Sequence, residues 1–410
     1  MTERLSVMKS KFLTRFFYVT FFLLVCAINP VQASEWMFTG NLKLLTNETV
    51  FPNKSSIASN ERIQQHHVIS TRLMTEYQKD NFNFDFHYDF KAQYLSSNTS
   101  NSTLDIESRQ LIDLQANIIE KEKIIYANRI DRLIISYTKE KYVLRAGRQA
   151  VSWGNGFLFN PLDLLNPYSQ TAIDREYKAG DDMLYGQYLA DNGDDIQLVF
   201  VPRRNKITGD LSDKESSLLF KYKSINYPVN IDVLAARHYN DNIIAMGLLK
   251  DIKDSIVRFD MSVTHLQDDS IALMVVSNID YSWTMFGKNT YGYLEYMYNS
   301  MGINDYQEIF NSNVLSRIER GEMFTIGRHY FSVGLTLETT PLTSLNTNLV
   351  LNLTDQSVLV PISFSYNWKQ NINLLFGATL SLGGNNTEYG GYDSARPIGQ
   401  SMFGQLAYYF

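Results

Sequence analysis

The chain has 410 residues, 13% of them aromatic, with 37 Lys and Arg against 43 Asp and Glu. A net charge of −6 argues against nucleic acid as a partner, because phosphate contacts need a basic surface. The single Cys excludes a disulfide framework, and the six His, two of them adjacent as His66 and His67, show no metal-ligand spacing.

The first predicted element is a secretory signal peptide. Lys9, Lys11 and Arg15 make a basic start, Phe16 to Ile28 an apolar run, and Val31-Gln32-Ala33 a short-residue site before Ser34. The apolar run is about 13 residues, short of the roughly 20 that a spanning helix needs. Val25 is too bulky to precede a lipoprotein cysteine at Cys26. Cleavage after Ala33 is therefore expected, leaving residues 34–410 as one domain with a net charge of about −9 and no Cys. A thiol-free exported chain suits a bacterial envelope protein.

No later apolar run reaches membrane-helix length. Instead, "NFNFDFHYDFKAQY" alternates Phe82, Phe84, Phe86, Tyr88, Phe90, Ala92 and Tyr94 with Asn83, Asp85, His87, Asp89, Lys91 and Gln93. One face is apolar and the other polar, which suits a strand between lipid and a watery lumen. Strands of this kind are predicted near 36–45, 64–78, 82–96, 129–138, 142–153, 183–190, 195–202, 216–223, 229–238, 242–250, 254–266, 271–281, 289–299, 324–338, 345–354, 357–367, 371–382 and 400–410. The section 102–126 reads either as a short helix or as another hairpin. If the first strand rises from the periplasm, short connections such as Lys79-Asp80-Asn81, "DIKD" and "WKQN" fall on the periplasmic side. The long connections 97–128, 154–182, 203–215, 300–323 and 383–399 then fall outside. The fold class expected is all-β: a transmembrane antiparallel barrel of about 18 strands, 16 to 18, with its third outer loop folded inward.

The chain ends "SMFGQLAYYF", where Met402, Gly404, Leu406, Tyr408 and Phe410 alternate with Phe403, Gln405, Ala407 and Tyr409. A closed barrel pairs its last strand with its first, which satisfies both edges in lipid. Phe410 is then expected in the periplasmic aromatic girdle. Leu406, Tyr408 and Phe410 resemble the C-terminal signal of Gram-negative outer-membrane proteins, which implies the barrel-assembly machinery and outer-membrane lipid as partners.

The densest group of unusual residues is Tyr142 to Asp182. Gly154, Gly156, Pro161 and Pro167 exclude regular structure after Trp153, and "FLFNPLDLL" is too apolar to lie bare in water. Arg145 and Arg148, three apart, fall on opposite faces of a regular strand. An arginine facing lipid at midplane costs roughly 2–4 kcal/mol, so a bulge at Gly147 is expected to turn both inward. Arg145, Arg148, Gln149, Asp163, Asp174, Arg175, Glu176, Asp181, Asp182 and Arg328 are the candidate pore and constriction residues. Opposed charges at a constriction select permeant molecules by size and charge. The same groups also read as salt bridges pinning the loop to the wall, and both readings hold together, since a pinned loop is also the constriction.

"GRQAVSWGNG", "NPLDLLNP" and "DREYKAGDDM" resemble outer-membrane barrels of the alginate-export and porin-like groups, including a type associated with RND-type exporters. The resemblance implies a route through the outer membrane and an RND-type exporter system as a partner, with solute, lipid or saccharide as cargo. Ser152 is not in a nucleophile elbow, and "GNG" and "LGGNN" are turn glycines rather than phosphate loops. No enzyme activity and no cofactor are expected. The rival to an open channel is a plugged barrel that supports an envelope transport complex.

Overall fold

The computed structural model describes residues 35–55, 61–96, 107–121, 123–169, 172–305, 308–309, 312–391, 393 and 396–410. The expected signal peptide lies outside them. The strands are β1 (Trp36–Ser55), β2 (Glu61–Lys79), β3 (Phe82–Leu95), β4 (Gln115–Lys121), β5 (Ile124–Lys139), β6 (Tyr142–Gln149), β7 (Asp181–Leu189), β8 (Asp195–Val201), β9 (Ser217–Ser224) and β10 (Asn230–His238). They continue as β11 (Asp241–Ile252), β12 (Ser255–His265), β13 (Ile271–Met285), β14 (Lys288–Asn299), β15 (His329–Thr340), β16 (Thr343–Asn352), β17 (Ser357–Lys369), β18 (Ile372–Leu382) and β19 (Gln400–Tyr409). A short helix, α1 (Asn313–Glu319), lies between β14 and β15.

Eighteen of these strands form the wall of a closed antiparallel barrel, each paired with its sequence neighbour; β3 pairs directly with β5. The remaining one, β4, pairs with the upper part of β5 from Gln115↔Arg129 to Lys121↔Ile124. The section left open between helix and hairpin is thus a hairpin arm, preceded by a single 3₁₀ turn at Glu107–Arg109.

The alternation dictates the two faces. Along β13, Val276, Asn278 and Asp280 are buried, whereas Ile279 and Tyr281 are 41% and 44% exposed. Exposed Ile135, Leu144, Leu184, Leu198 and Ile244 clothe the outside, while Arg72, Asp89, Lys221, Asp260 and Glu295 are buried inside. That inversion is unfavourable in water and suits a barrel whose backbone groups are paired all round in hydrocarbon. Short turns of two to five residues close one rim, and two-residue ones among them put Asp80, Glu140, Lys253 and Phe286 at positive φ, as tight hairpin turns require. Aromatic pairs gather at this rim: Trp36 with Tyr77 at 4.5 Å, Phe82 with Tyr137 at 5.0 Å and Tyr142 with Tyr188 at 5.2 Å.

Closure answers what holds the C-terminus. β19 pairs with β1 from Asn41↔Tyr409 to Val50↔Gln400. Beyond the strand, Gly40 N–H donates to Phe410 O at 2.8 Å and Phe410 N–H donates back at 3.0 Å. The Phe410 ring lies on Gly40, where a Cβ would meet its Cζ at 2.6 Å. Leu406 and Tyr408 sit opposite Leu44 and Leu42 in the same seam.

Several boundaries differ from expectation: β1 runs on to Ser55 rather than 45, β5 starts at Ile124 rather than 129, and β13 runs to Met285 rather than 281. β6 stops at Gln149 rather than Trp153, because the chain leaves the sheet to enter the third long connection. β15 starts at His329 rather than 324, since the Ile326 and Gly327 N–H groups turn to the Tyr330 hydroxyl instead of a ladder.

Candidate channel lumen and its third outer loop

The third long connection (L3) links β6 to β7 between 150 and 180, and its described residues touch wall strands on opposite sides of the barrel. Trp153 Nε1 donates to Gln197 Oε1 on β8 at 2.8 Å. Gly154 takes φ +92°, and the Asn160 side chain occupies the place of a Cβ while its Nδ2 holds Trp153 O at 2.7 Å. The Asn155 backbone N–H and Nδ2 reach Asp260 of β12 at 2.7 and 2.8 Å. Next, the N–H groups of Phe157, Leu158 and Phe159 all converge on the Glu295 carboxylate of β14, at 2.7, 2.8 and 3.1 Å. Phe157 stacks on Tyr293 at 4.4 Å and Phe159 meets Tyr330 of β15 at 5.5 Å.

The apolar run "FLFNPLDLL" is covered, as its composition demands. Leu162 and Leu165 pack with Trp153 against Met183, Tyr185, Val199, Leu219 and Leu234 on β7 to β10. The returning limb is tied to the outgoing one: Lys178 Nζ bonds Asp163 at 2.6 Å, Val151 O at 2.7 Å and Ser152 Oγ at 2.9 Å. Burial draws the Lys178 ammonium below the usual lysine range, with the Asp163 carboxylate opposing.

That limb also grips the closure seam. Lys43 of β1 bonds Asp174 and Glu176, each at 2.6 Å, and Tyr409 of β19 donates to Glu176. Tyr177 accepts from Asn41 at 3.3 Å and lies under the Arg72 guanidinium at 4.1 Å. Arg72 continues into a charged group on the β2, β3 and β5 wall, pairing with Asp131 at 2.5 Å and Asp89 at 3.5 Å.

The expected site residues divide into groups. Asp163, Asp174 and Glu176 lie on L3 in the pairs just described, and Arg175 donates to Ser169 O at 3.1 Å. Arg145 is exposed, with its guanidinium 5.1 Å from the Tyr185 ring. Arg148 has no exposed side-chain surface: it forms a two-pronged pair with Asp182 and donates to Ile112 O, beneath the segment before β4. Asp181 pairs with Arg203 at 2.9 Å, and Gln149 is buried beside Met183. Arg328 precedes β15 and donates to Gly302 O at 2.6 Å. The bulge expected at Gly147 is absent: β5 and β7 pair through it residue by residue. Gly147 takes φ +117° instead, which redirects the chain without an inserted residue.

Lys43, Asp260 and Glu295 were missed in the sequence. Each is a charge flanked by outward apolar neighbours in a strand, so parity alone marked it as inward; nothing local marked it as an anchor for a loop more than 100 residues away.

A second buried polar group joins three outer connections. Glu388, from the connection before β19, accepts from the Tyr330 hydroxyl, from Asn352 Nδ2 at 2.9 Å and from Ile326 N–H at 3.2 Å. Its own N–H donates to Asp355 at 2.7 Å. Burial, with Asp355 adding, pushes the Glu388 carboxyl up to about 7 despite these bonds.

No protein-family model matches the sequence, and no curated protein matches it. Solved structures do. OccAB4 of Acinetobacter baumannii superposes with a TM-score of 0.55 at 9% identity, over 93% of this chain and 100% of that one. A BenF-like porin from Pseudomonas fluorescens Pf-5 gives 0.54 at 8%, over 92% and 99%. OccK5 (OpdH) of Pseudomonas aeruginosa gives 0.55 at 8%, over 92% and 98%. The fold is that of an outer-membrane porin. At such identities the likeness shows the porin barrel and does not extend to a substrate. The alginate-export resemblance of residues 147–182 remains an expectation beside it.

Proposed function

We propose that this chain is an outer-membrane channel in which L3 crosses the lumen and forms a charged constriction for a small polar solute. The observation that carries the reading is the reach of L3: one loop bonds lumen-side groups of β8, β12 and β14 on one side and of β1 and β19 on the other. A loop so held narrows the passage at fixed height, and the charges along it set a field across the gap. Lys43, Arg72, Arg132 and Arg145 outnumber Asp89 and Asp131 on the β1 to β6 wall, Asp232, Asp260, Asp280 and Glu295 outnumber Arg258 on the β10 to β14 wall, and the difference gives that field its direction. Arg148 and Asp182 belong to the support of the loop and the outer rim.

Export by cleaved signal peptide and delivery through the C-terminal strand to the barrel-assembly machinery complete the reading. The same grip on both walls supports the second reading, a plugged barrel serving an envelope transport complex such as an RND-type exporter. Single-channel conductance of the folded barrel in a planar bilayer separates them. An open channel gives steady conductance whose ion selectivity moves when Lys43, Arg145 and Arg175 are neutralised. Silence from a demonstrably folded barrel refutes the open channel and supports the plug.

A further inference from the structure

Five outer segments meet around one small cavity. Arg109 comes from the turn before β4, Asn166 from L3, Asp181 and Arg203 from the ends of β7 and β8, and Tyr239 from the β10 to β11 turn. Glu319 and Arg320, from the end of α1, complete its lining. Three guanidiniums crowd a single ring: Arg320, Arg203 and Arg109 lie 4.5, 4.6 and 5.7 Å from the centroid of Tyr239. The ring is 6% exposed and Arg203 4%.

The acids nearby are already engaged. Asp181 pairs with Arg203 at 2.9 Å, Asp241 with Arg317 at 2.5 Å, and Glu322 with Arg317 and Arg320 at 2.9 and 3.0 Å. Among the described residues no ion pair reaches Arg109, and its Nη1 is buried without a hydrogen-bond partner. The Nε of Arg320 makes no hydrogen bond either, although it faces Glu322. Glu319 is exposed at the rim. Among the described side chains the cluster thus sets Arg109, Arg203, Arg317 and Arg320 against three inner carboxylates, Asp181, Asp241 and Glu322, and the exposed Glu319, so Arg109 is the cation without an inner counter-charge. A buried donor left unused is costly, and the half-buried guanidinium that carries it has no inner counter-charge. The cavity admits about one water-sized particle, and a neutral water there gives Arg109 no inner counter-charge.

We propose that this cavity is a binding site for a small monovalent anion of halide size, held by Arg109, Arg203 and Arg320. Its occupant ties L3 to the four other outer segments, so filling the site stiffens the outer mouth. The site is independent of whether the lumen conducts.

The test uses crystals of the full folded barrel grown in sodium bromide, with anomalous scattering to locate the halide. The expected result is a bromide peak between Arg109 and Arg320 that is at least several-fold weaker in Arg109→Gln. The same pair is compared by thermal unfolding in sodium chloride and sodium gluconate at equal ionic strength. Chloride is expected to raise the midpoint of the natural protein and to have no such advantage in Arg109→Gln. A water without anomalous signal in the cavity overturns the proposal. So does a bromide peak unchanged in Arg109→Gln with no chloride dependence of unfolding, which marks an adventitious ion only.

Discussion

Glu388 shows how a single burial decides a response. Its carboxyl is raised from 4.5 to about 7, so the folded protein holds a proton there that the unfolded chain has lost. The contribution of this group is fully present below about 4.5 and is lost as pH rises through about 7. Hydrogen exchange at the Ile326 and Gly327 amides is therefore expected to quicken between pH 5 and pH 8 beyond the intrinsic rate, and Glu388→Gln to flatten that excess. An unchanged excess in Glu388→Gln excludes the carboxyl as its source. Glu322 has the opposite sign: against burial, the His238 imidazole 3.5 Å away and the Arg320 and Arg317 guanidiniums hold its carboxyl at about 2. Its stabilisation is present above about 4.5 and fades as pH falls through about 2. Glu322→Gln leaves its arginines short of a buried counter-charge and is expected to cost about 3–5 kcal/mol in a thermal or denaturant unfolding measurement.

At the scale of an element, L3 keeps its path because its backbone donors have found fixed acceptors on the wall. Three consecutive N–H groups end on one carboxylate, and leaving such groups buried and unpaired costs about 1–3 kcal/mol each. Glu295→Ala is expected to release the 155–159 limb, giving larger and noisier single-channel currents from a barrel that still folds. Currents identical to those of the natural protein place the constriction elsewhere. Gly147 serves the strand that feeds the loop. A Cβ there meets Leu133 O at 2.0 Å and the φ of +117° excludes ordinary side chains. Gly147→Val is expected to destabilise the β5 to β7 rim by at least about 1–3 kcal/mol, read as a lower unfolding midpoint.

For the whole molecule, one seam decides whether eighteen strands make a tube. The β1 to β19 ladder is extended by the reciprocal Gly40 and Phe410 bonds and gripped from inside by Lys43, Glu176 and Tyr409. Deleting Phe410 removes both terminal bonds and exposes Gly40, so the fraction reaching the heat-modifiable folded form is expected to fall. Gly40→Val places a side chain where the Phe410 ring lies and is expected to produce a similar fall. Normal yields from both variants leave the seam to the inner ladder alone.

The wall was legible in the sequence because strand parity is a local property. Eighteen alternating runs separated by turn residues give every wall strand, and Leu406, Tyr408 and Phe410 mark the closing one, since lipid outside and water inside sort side chains with period two. The apolar content of "FLFNPLDLL" likewise required that L3 be covered. Which wall covers it is a different kind of fact. Glu295 accepts from the Phe157 N–H and Lys43 donates to Glu176 only after closure has brought residues 138 and 133 positions apart within hydrogen-bond distance. Arg148 in sequence is a candidate for the pore; packing under residues 107–114 makes it a buried support. The missing inner counter-charge at Arg109 is likewise invisible along the chain, because the groups around it come from separate segments that only the folded barrel assembles.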